Sequence, residues 1–204
     1  MQFAFDKKLF ISLSLAFILF TVIGTLSHEL GHYFVARILG YEASINYAST
    51  HYDHDRSTSI GDSLLITMGG PLQTMIFGSI GVILVIWNKK KYMSKNEPGW
   101  KLWLGVLLSL FWLRELFNFL LGLLTLLFAR SQFTAGDEIK IAMAFSLPIL
   151  SVSMASAILA TGVLCLMLYV LPKKVRFTFL AALCFGGIMG YLIWLKWLGP
   201  VLLP

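Results

Sequence analysis

From Phe10 to Gly24 the chain reads FISLSLAFILFTVIG, a run without a charge, and four further apolar runs follow it. A bilayer crossing takes about 20 residues of helix, and each run is long enough. The runs cover roughly 9–39, 63–87, 100–128, 141–171 and 177–198. Lipid offers no partner to backbone N–H and C=O groups, so an uncharged spanning run must close its own hydrogen bonds as a helix. The expected fold is an all-α polytopic membrane protein of about five transmembrane helices, one domain over 1–204. Composition agrees, with 58% of residues hydrophobic and only 13% charged. Soluble domains carry about a quarter charged residues, and a core of this size could not hide so much apolar surface.

The segments between the runs carry the polar residues. Lys7 and Lys8 before the first run imitate a signal peptide, but the run continues into a polar motif that cleavage would isolate, so it reads as a retained span. NKKKYMSKNEPG at 88–99 and PKKVR at 172–176 are short and basic, whereas 40–62 and 130–140 are longer or more acidic. Within 40–62, SINYAST alternates partly and HYDHDRS has turn character, which predicts a small β-hairpin in the first loop. Lys7, Lys8, Lys89, Lys90, Lys91, Lys95, Lys101, Lys173, Lys174 and Arg176 share one side, against Arg37, Arg56, Arg130, Lys140 and Lys196. The positive-inside rule then makes the N-terminus cytoplasmic and puts 40–62 and 130–140 together on the outer face. The net charge of +6 follows from these lipid-facing loops and implies no nucleic-acid partner. A multi-pass integral-membrane location is expected, which in a bacterial cell is the plasma (inner) membrane. Cys165 and Cys184 read as small buried hydrophobes. Trp87, Tyr92, Trp100, Trp103, Trp194 and Trp197 read as interfacial anchors, and the glycines of the second and fifth runs as packing sites.

The first run leads into His28-Glu29-Leu30-Gly31-His32. On a helix, residues four apart share a face, so both imidazoles can reach one metal ion. Glu29 lies beside them, placed to take a proton from water. Gly31 is expected to leave room near the metal. Ionisable groups within a span cost a few kcal/mol each and usually mark function, which argues against a chance match. The pattern points to one Zn2+ as cofactor, with His28 and His32 as ligands and Glu29 as catalytic base.

A catalytic zinc site commonly takes three protein ligands. Asp137 is the expected third, with Glu138 as the alternative metal ligand, although acidic residues there also suit a helix N-terminus. In FWLRELFNFLL, Arg114 and Asn118 share a face while Glu115 is offset. These three form an internal polar clamp, or else Arg114 or Asn118 steadies an oxyanion or a substrate carbonyl and Glu115 is a rival metal ligand. His51, Asp53, His54 and Asp55 resemble metal ligands in type, but read better as a solvated turn.

Three pieces resemble the site-2 protease family of intramembrane zinc metalloproteases. HELGHYFVARILG at 28–40 carries the metal motif into a Gly-ended helix, MGGPLQT at 68–74 resembles the family's Gly-Pro motif, and GDE at 136–138 stands where the family has Asp-Gly. The resemblance covers roughly 21–138, leaving the last two runs unmatched. It implies cleavage of a peptide bond within or beside a transmembrane segment of a membrane-protein or membrane-peptide substrate. It also implies Asp137 as the third ligand and Gln73 where the family has an active-site Asn. The first-loop hairpin would fit the family's docking of an unwound, extended substrate. Departures are Phe133-Thr134-Ala135 in place of an Asn-Pro-rich approach, Glu138 in place of Gly, and an outer-face site where the family has a cytosolic one. A reading from another class is a metal transporter or sensor using the same His and acidic residues. Against it, no polar series threads several runs.

Overall fold

The computed structural model describes residues 5–53, 59–88, 99–128 and 136–204. The first span is α1, Lys7–Ile38. A two-stranded antiparallel hairpin follows, β1 (Ala43–Ile45) and β2 (Thr50–Tyr52), with Ser44 opposite His51. The second span is α2, Ile60–Trp87. The third joins α3 (Trp100–Ser109), a tight turn at Leu110–Trp112 and α4 (Leu113–Phe128). A short helix α5 (Asp137–Ala144) precedes the fourth span, α6 (Ser151–Val170). The fifth joins α7 (Lys173–Leu192), a wide π turn at Ile193–Leu198 and α8 (Gly199–Leu202). Five helical spans are long and apolar enough to cross a membrane, and the hairpin is the only sheet among the described residues. The expected all-α polytopic fold is what the chain adopts.

Helix ends follow local chemistry. Asp6 caps α1 by accepting from the Leu9 N–H at 3.0 Å, and Ser59 caps α2 by accepting from Asp62 N–H at 3.0 Å. At the far end of α1, Gly40 sits at φ +91° while Gly40 N–H donates to Arg37 O and Tyr41 N–H to Ala36 O. These paired bonds close the helix with a left-handed residue, which glycine adopts without a Cβ penalty.

The fourth apolar run differs from expectation. It does not form one helix over 141–171; the helix breaks between Ala144 and Ser151. Ser146, at φ 53°, makes the same left-handed closure, with Ser146 N–H on Met143 O and Leu147 N–H on Ala142 O. Pro148 then disfavours helix at the residue before it. Apolar content alone cannot reveal this break. Its consequence is that α5 becomes a separate element able to carry Asp137 and Glu138 to the site.

The apolar core lies at one end of the bundle. Leu13 and Phe17 of α1 meet Val85, Val106, Met167 and Phe179 there. His28 lies twenty-one residues along α1 from Lys7, about 30 Å at 1.5 Å per residue, so the polar motif is at the opposite end. Close helix contacts join the two ends. A Cβ on Gly31 would run into the Gly69 carbonyl, and one on Gly69 would meet the Gly31 carbonyl at 2.5 Å. Gly31 therefore brings the α1 and α2 backbones together; it does not open room near a metal as expected. Gly186 and Gly190 play the same packing role against α1, where a Cβ would meet Phe17 and Thr21.

Two further expectations are corrected. Trp194 is buried, not an interfacial anchor, and its indole N–H donates to the Tyr47 carbonyl at 2.8 Å. Cys165 and Cys184 are exposed on α6 and α7. A lipid-facing surface favours apolar groups as the interior does, so hydrophobicity does not distinguish the two in a span. Exposed Ile11, Leu15, Leu19 and Ile23 along α1 make the same point. Tyr92, Arg56, Arg130 and Lys89–Lys91 lie outside the described residues.

Candidate metal centre

His28 and His32 rise one turn apart on α1, both buried, and their Nε2 atoms are 3.2 Å apart. Asp137, in the first turn of α5, puts Oδ2 3.2 Å from His28 Nε2 and 3.2 Å from His32 Nε2. Three ligand atoms thus form a near-equilateral triangle. Metal–ligand bonds of about 2.0–2.1 Å at tetrahedral angles set neighbouring ligand atoms about 3.3 Å apart. The triangle fits that geometry, and this is the one group of three His and acidic residues with converging ligand atoms among the described residues.

Hydrogen bonds behind the imidazoles orient them. His32 Nδ1 is 2.7 Å from the Ile66 carbonyl, which can only accept, so Nδ1 carries the proton. The Gly70 N–H also points at that nitrogen, at 3.3 Å, but the shorter contact to an obligatory acceptor decides the tautomer. His28 Nδ1 is 2.9 Å from Thr74 Oγ1. That hydroxyl donates its single proton to Gly70 O at 3.1 Å and so accepts from His28. Both Nε2 atoms are left with bare lone pairs facing a carboxylate oxygen. A cation at their meeting point would resolve three mutually repelling acceptors.

Gly70 supplies the space. A Cβ there would stand 2.6 Å from His28 Nε2 and press on His32 Nε2 as well. The site thus has a cradle that any other side chain would fill. Gly70, read as a packing glycine, borders the ligand triangle. With no ion between them, burial pushes the Asp137 carboxyl up, but an imidazolium proton taken up on Nε2 of His28 or His32 donates to it and, with the charge it brings, holds it well below the usual carboxylate range.

Glu29 is buried on the cavity side of the centre, its Oε1 3.9 Å from an Arg114 guanidinium nitrogen. A cavity of about 410 Å³ opens here, lined by Glu29, His32, Thr50, Arg114, Asn118 and Asp137 among others. Arg114 and Asn118 thus reach the site together, as their shared face predicts. Gln73 does not line this cavity; its Oε1 is 3.4 Å from the Thr74 hydroxyl and its Cβ backs onto Gly31.

Glu138 and Glu115 stay outside the ligand triangle. Both are buried, and neither carboxyl belongs to the converging ligand group. His51 is exposed on the outer side of β2, with Nε2 3.1 Å from Asn46 Nδ2 and 3.1 Å from Ser49 Oγ. Asp53 is exposed, and His54 and Asp55 lie outside the described residues.

Thr50 escaped the sequence reading. Its hydroxyl, on β2, lies 2.8 Å from the Glu29 carbonyl and 3.1 Å from Glu29 Oε2. A lone Thr in a loop gives no signal of such a contact; only the alternation of the predicted strand pairs it with Tyr52 on one face. Compared with known proteins, the chain matches no family model, no curated protein and no solved structure.

Proposed function

We propose that the chain is a zinc-dependent intramembrane endopeptidase, cutting a peptide bond within or beside a transmembrane segment of another protein. The observation that carries this reading is the 3.2 Å triangle of His28 Nε2, His32 Nε2 and Asp137 Oδ2 with Glu29 at its side. His28, His32 and Asp137 would hold the ion, which when bound supplies Lewis acidity for amide hydrolysis.

The chain's own groups carry the proton and orient the reactants. Glu29 accepts a proton from the attacking water as the water oxygen bonds to the scissile carbonyl carbon. It returns that proton to the leaving nitrogen as the C–N bond breaks, leaving a carboxyl and an amine. Arg114 and Asn118, one helical turn apart on the cavity wall, donate hydrogen bonds towards the carbonyl oxygen as it gains charge. The cavity admits water from the polar end of the bundle, while the substrate segment arrives from the bilayer. Resemblance of HELGHYFVARILG and MGGPLQT to the site-2 protease family supports the same reading.

The test is cleavage of single-span reporter peptides by purified protein in liposomes, alongside metal analysis. About one zinc per chain, cleavage stopped by a chelator, and cleavage lost with metal retained in Glu29→Gln are expected. Metal flux across the liposome without any cleavage would instead favour a transporter.

A further inference from the structure

The Glu29 carboxylate is held from two sides by residues of different elements. Oε1 faces Arg114 of α4 at 3.9 Å, and Oε2 faces the Thr50 hydroxyl of β2 at 3.1 Å. A Glu on a helix has three rotatable side-chain torsions, so one charged neighbour at 3.9 Å cannot fix where its lone pairs point. The Thr50 hydroxyl lies 2.8 Å from the Glu29 carbonyl and 3.1 Å from Oε2, so its one proton is shared between them, and this forked contact ties the carboxylate to its own backbone. Bonds to a charged acceptor are also the stronger kind.

Thr50 is itself placed from elsewhere. Asn46 N–H bonds to Ser49 O at 2.9 Å, and Asn46 Oδ1 accepts from the Ala48 and Ser49 N–H groups, which closes the hairpin turn. The turn is then tied to the fifth span. Tyr47 N–H donates to Leu203 O at 2.9 Å, and Trp194 Nε1–H donates to Tyr47 O at 2.8 Å. Gly199 packs so closely on Tyr47 that a Cβ would meet the Tyr47 ring at 2.8 Å. Trp194 lies in the wide π turn at Ile193–Leu198, and such turns recur at functional sites.

We infer that Thr50 is a positioning residue for Glu29, and that the fifth span sets its place through Tyr47. This rests on the proposed peptidase reading, because it assigns Glu29 as the base whose aim matters. It gives the hairpin a part in the chemistry distinct from any contact with substrate. It also gives the fifth span, which shares no motif with the family resemblance, a reason to carry a buried Trp.

Thr50→Val keeps the β-branched shape and removes the hydroxyl; Thr50→Ser keeps the hydroxyl. Thr50→Val should lower kcat about tenfold, the low end for a bond to a charged group, because the hydroxyl shares its proton with the Glu29 carbonyl. KM and bound zinc should stay at wild-type values, and Thr50→Ser should recover most of the rate. Trp194→Phe should lower kcat by less, and its effect should shrink in the Thr50→Val background, since both act on one contact. An independent reading comes from the infrared carboxylate band of Glu29, assigned by its loss in Glu29→Gln. That band should shift in Thr50→Val and not in Thr50→Ser. An unshifted band, a wild-type kcat in Thr50→Val, or a rate loss that only follows zinc loss overturns the inference. A wild-type protein that cleaves nothing yet shows the band shift overturns the peptidase reading and leaves the Thr50–Glu29 bond established.

Discussion

Asp137 Oδ2 stands 3.2 Å from His28 Nε2 across 109 positions of the chain. The helix α5 that makes this approach exists because the chain breaks at Ser146 and Pro148, freeing α5 from the fourth span. Two imidazoles on one helix turn are a local matter; the third corner of the triangle is a tertiary one.

The three acidic residues near the centre should separate cleanly by metal affinity. Asp137→Ala should weaken zinc binding at least about a hundredfold, since loss of even an outer-shell partner costs 10–100-fold. Glu138→Gln and Glu115→Gln should leave affinity unchanged, because neither carboxyl enters the triangle. Competition with a chromogenic chelator measures all three. A strong loss in Glu138→Gln would assign the third ligand wrongly.

Gly70→Ala tests the cradle. Alanine favours helix over glycine by about 1 kcal/mol, so the change should help α2 on propensity alone. The added Cβ nevertheless occupies the space in front of both Nε2 atoms. The expected outcome is a folded protein with little bound zinc. Gly69→Ala should act differently, destabilising the fold by about 1–3 kcal/mol through the Gly31 backbone contact. Zinc bound at full strength by Gly70→Ala would refute the cradle.

Thr74→Val removes the acceptor that fixes the His28 tautomer. Zinc affinity should fall about 10–100-fold, as for other outer-shell partners of metal-bound histidines. Thr74→Ser should retain it. Equal affinities for the Val and Ser variants, read by calorimetry, would show that His28 is oriented by packing alone.

Asp137 also sets an acid limit on stability. Its carboxyl is held well below the usual range in the folded chain, against about 3.9 when unfolded. A group depressed on folding stabilises the native state above its unfolded value, and the benefit is lost as pH falls towards the folded one. Metal-free wild-type protein should therefore lose stability below about pH 4 more steeply than Asp137→Asn. Denaturation profiles with the same acid slope would contradict this.

Much of the molecule was legible in order of residues. Uncharged runs dictate helices because lipid satisfies no backbone group. Gly40 ends α1 where a left-handed residue is needed, and the four-residue spacing of His28 and His32 puts both on one face. Arg114 and Asn118 share the cavity wall for the same reason. These are consequences of helix geometry, which the sequence carries locally.

Tertiary structure decided the rest. Gly31 and Gly70 are alike as residues, yet one seats two backbones and the other clears the space between two imidazoles; only the position of α2 distinguishes them. Ser146 adopts a left-handed turn that its residue type does not announce. Cys165 faces outward and Trp194 inward, because in a span the same apolar chemistry suits both surroundings. Asp137 rather than Glu138 completes the triangle because the first turn of α5 turns one carboxyl towards α1 and the next away from it. Thr50 meets Glu29 because the hairpin folds back over α1 and is tied to the fifth span. By itself the sequence determined which residues could hold a metal and that helices carry most of them. Which groups meet depended on long-range packing, since contacts between distant segments follow from how faces fit and leave no periodic trace.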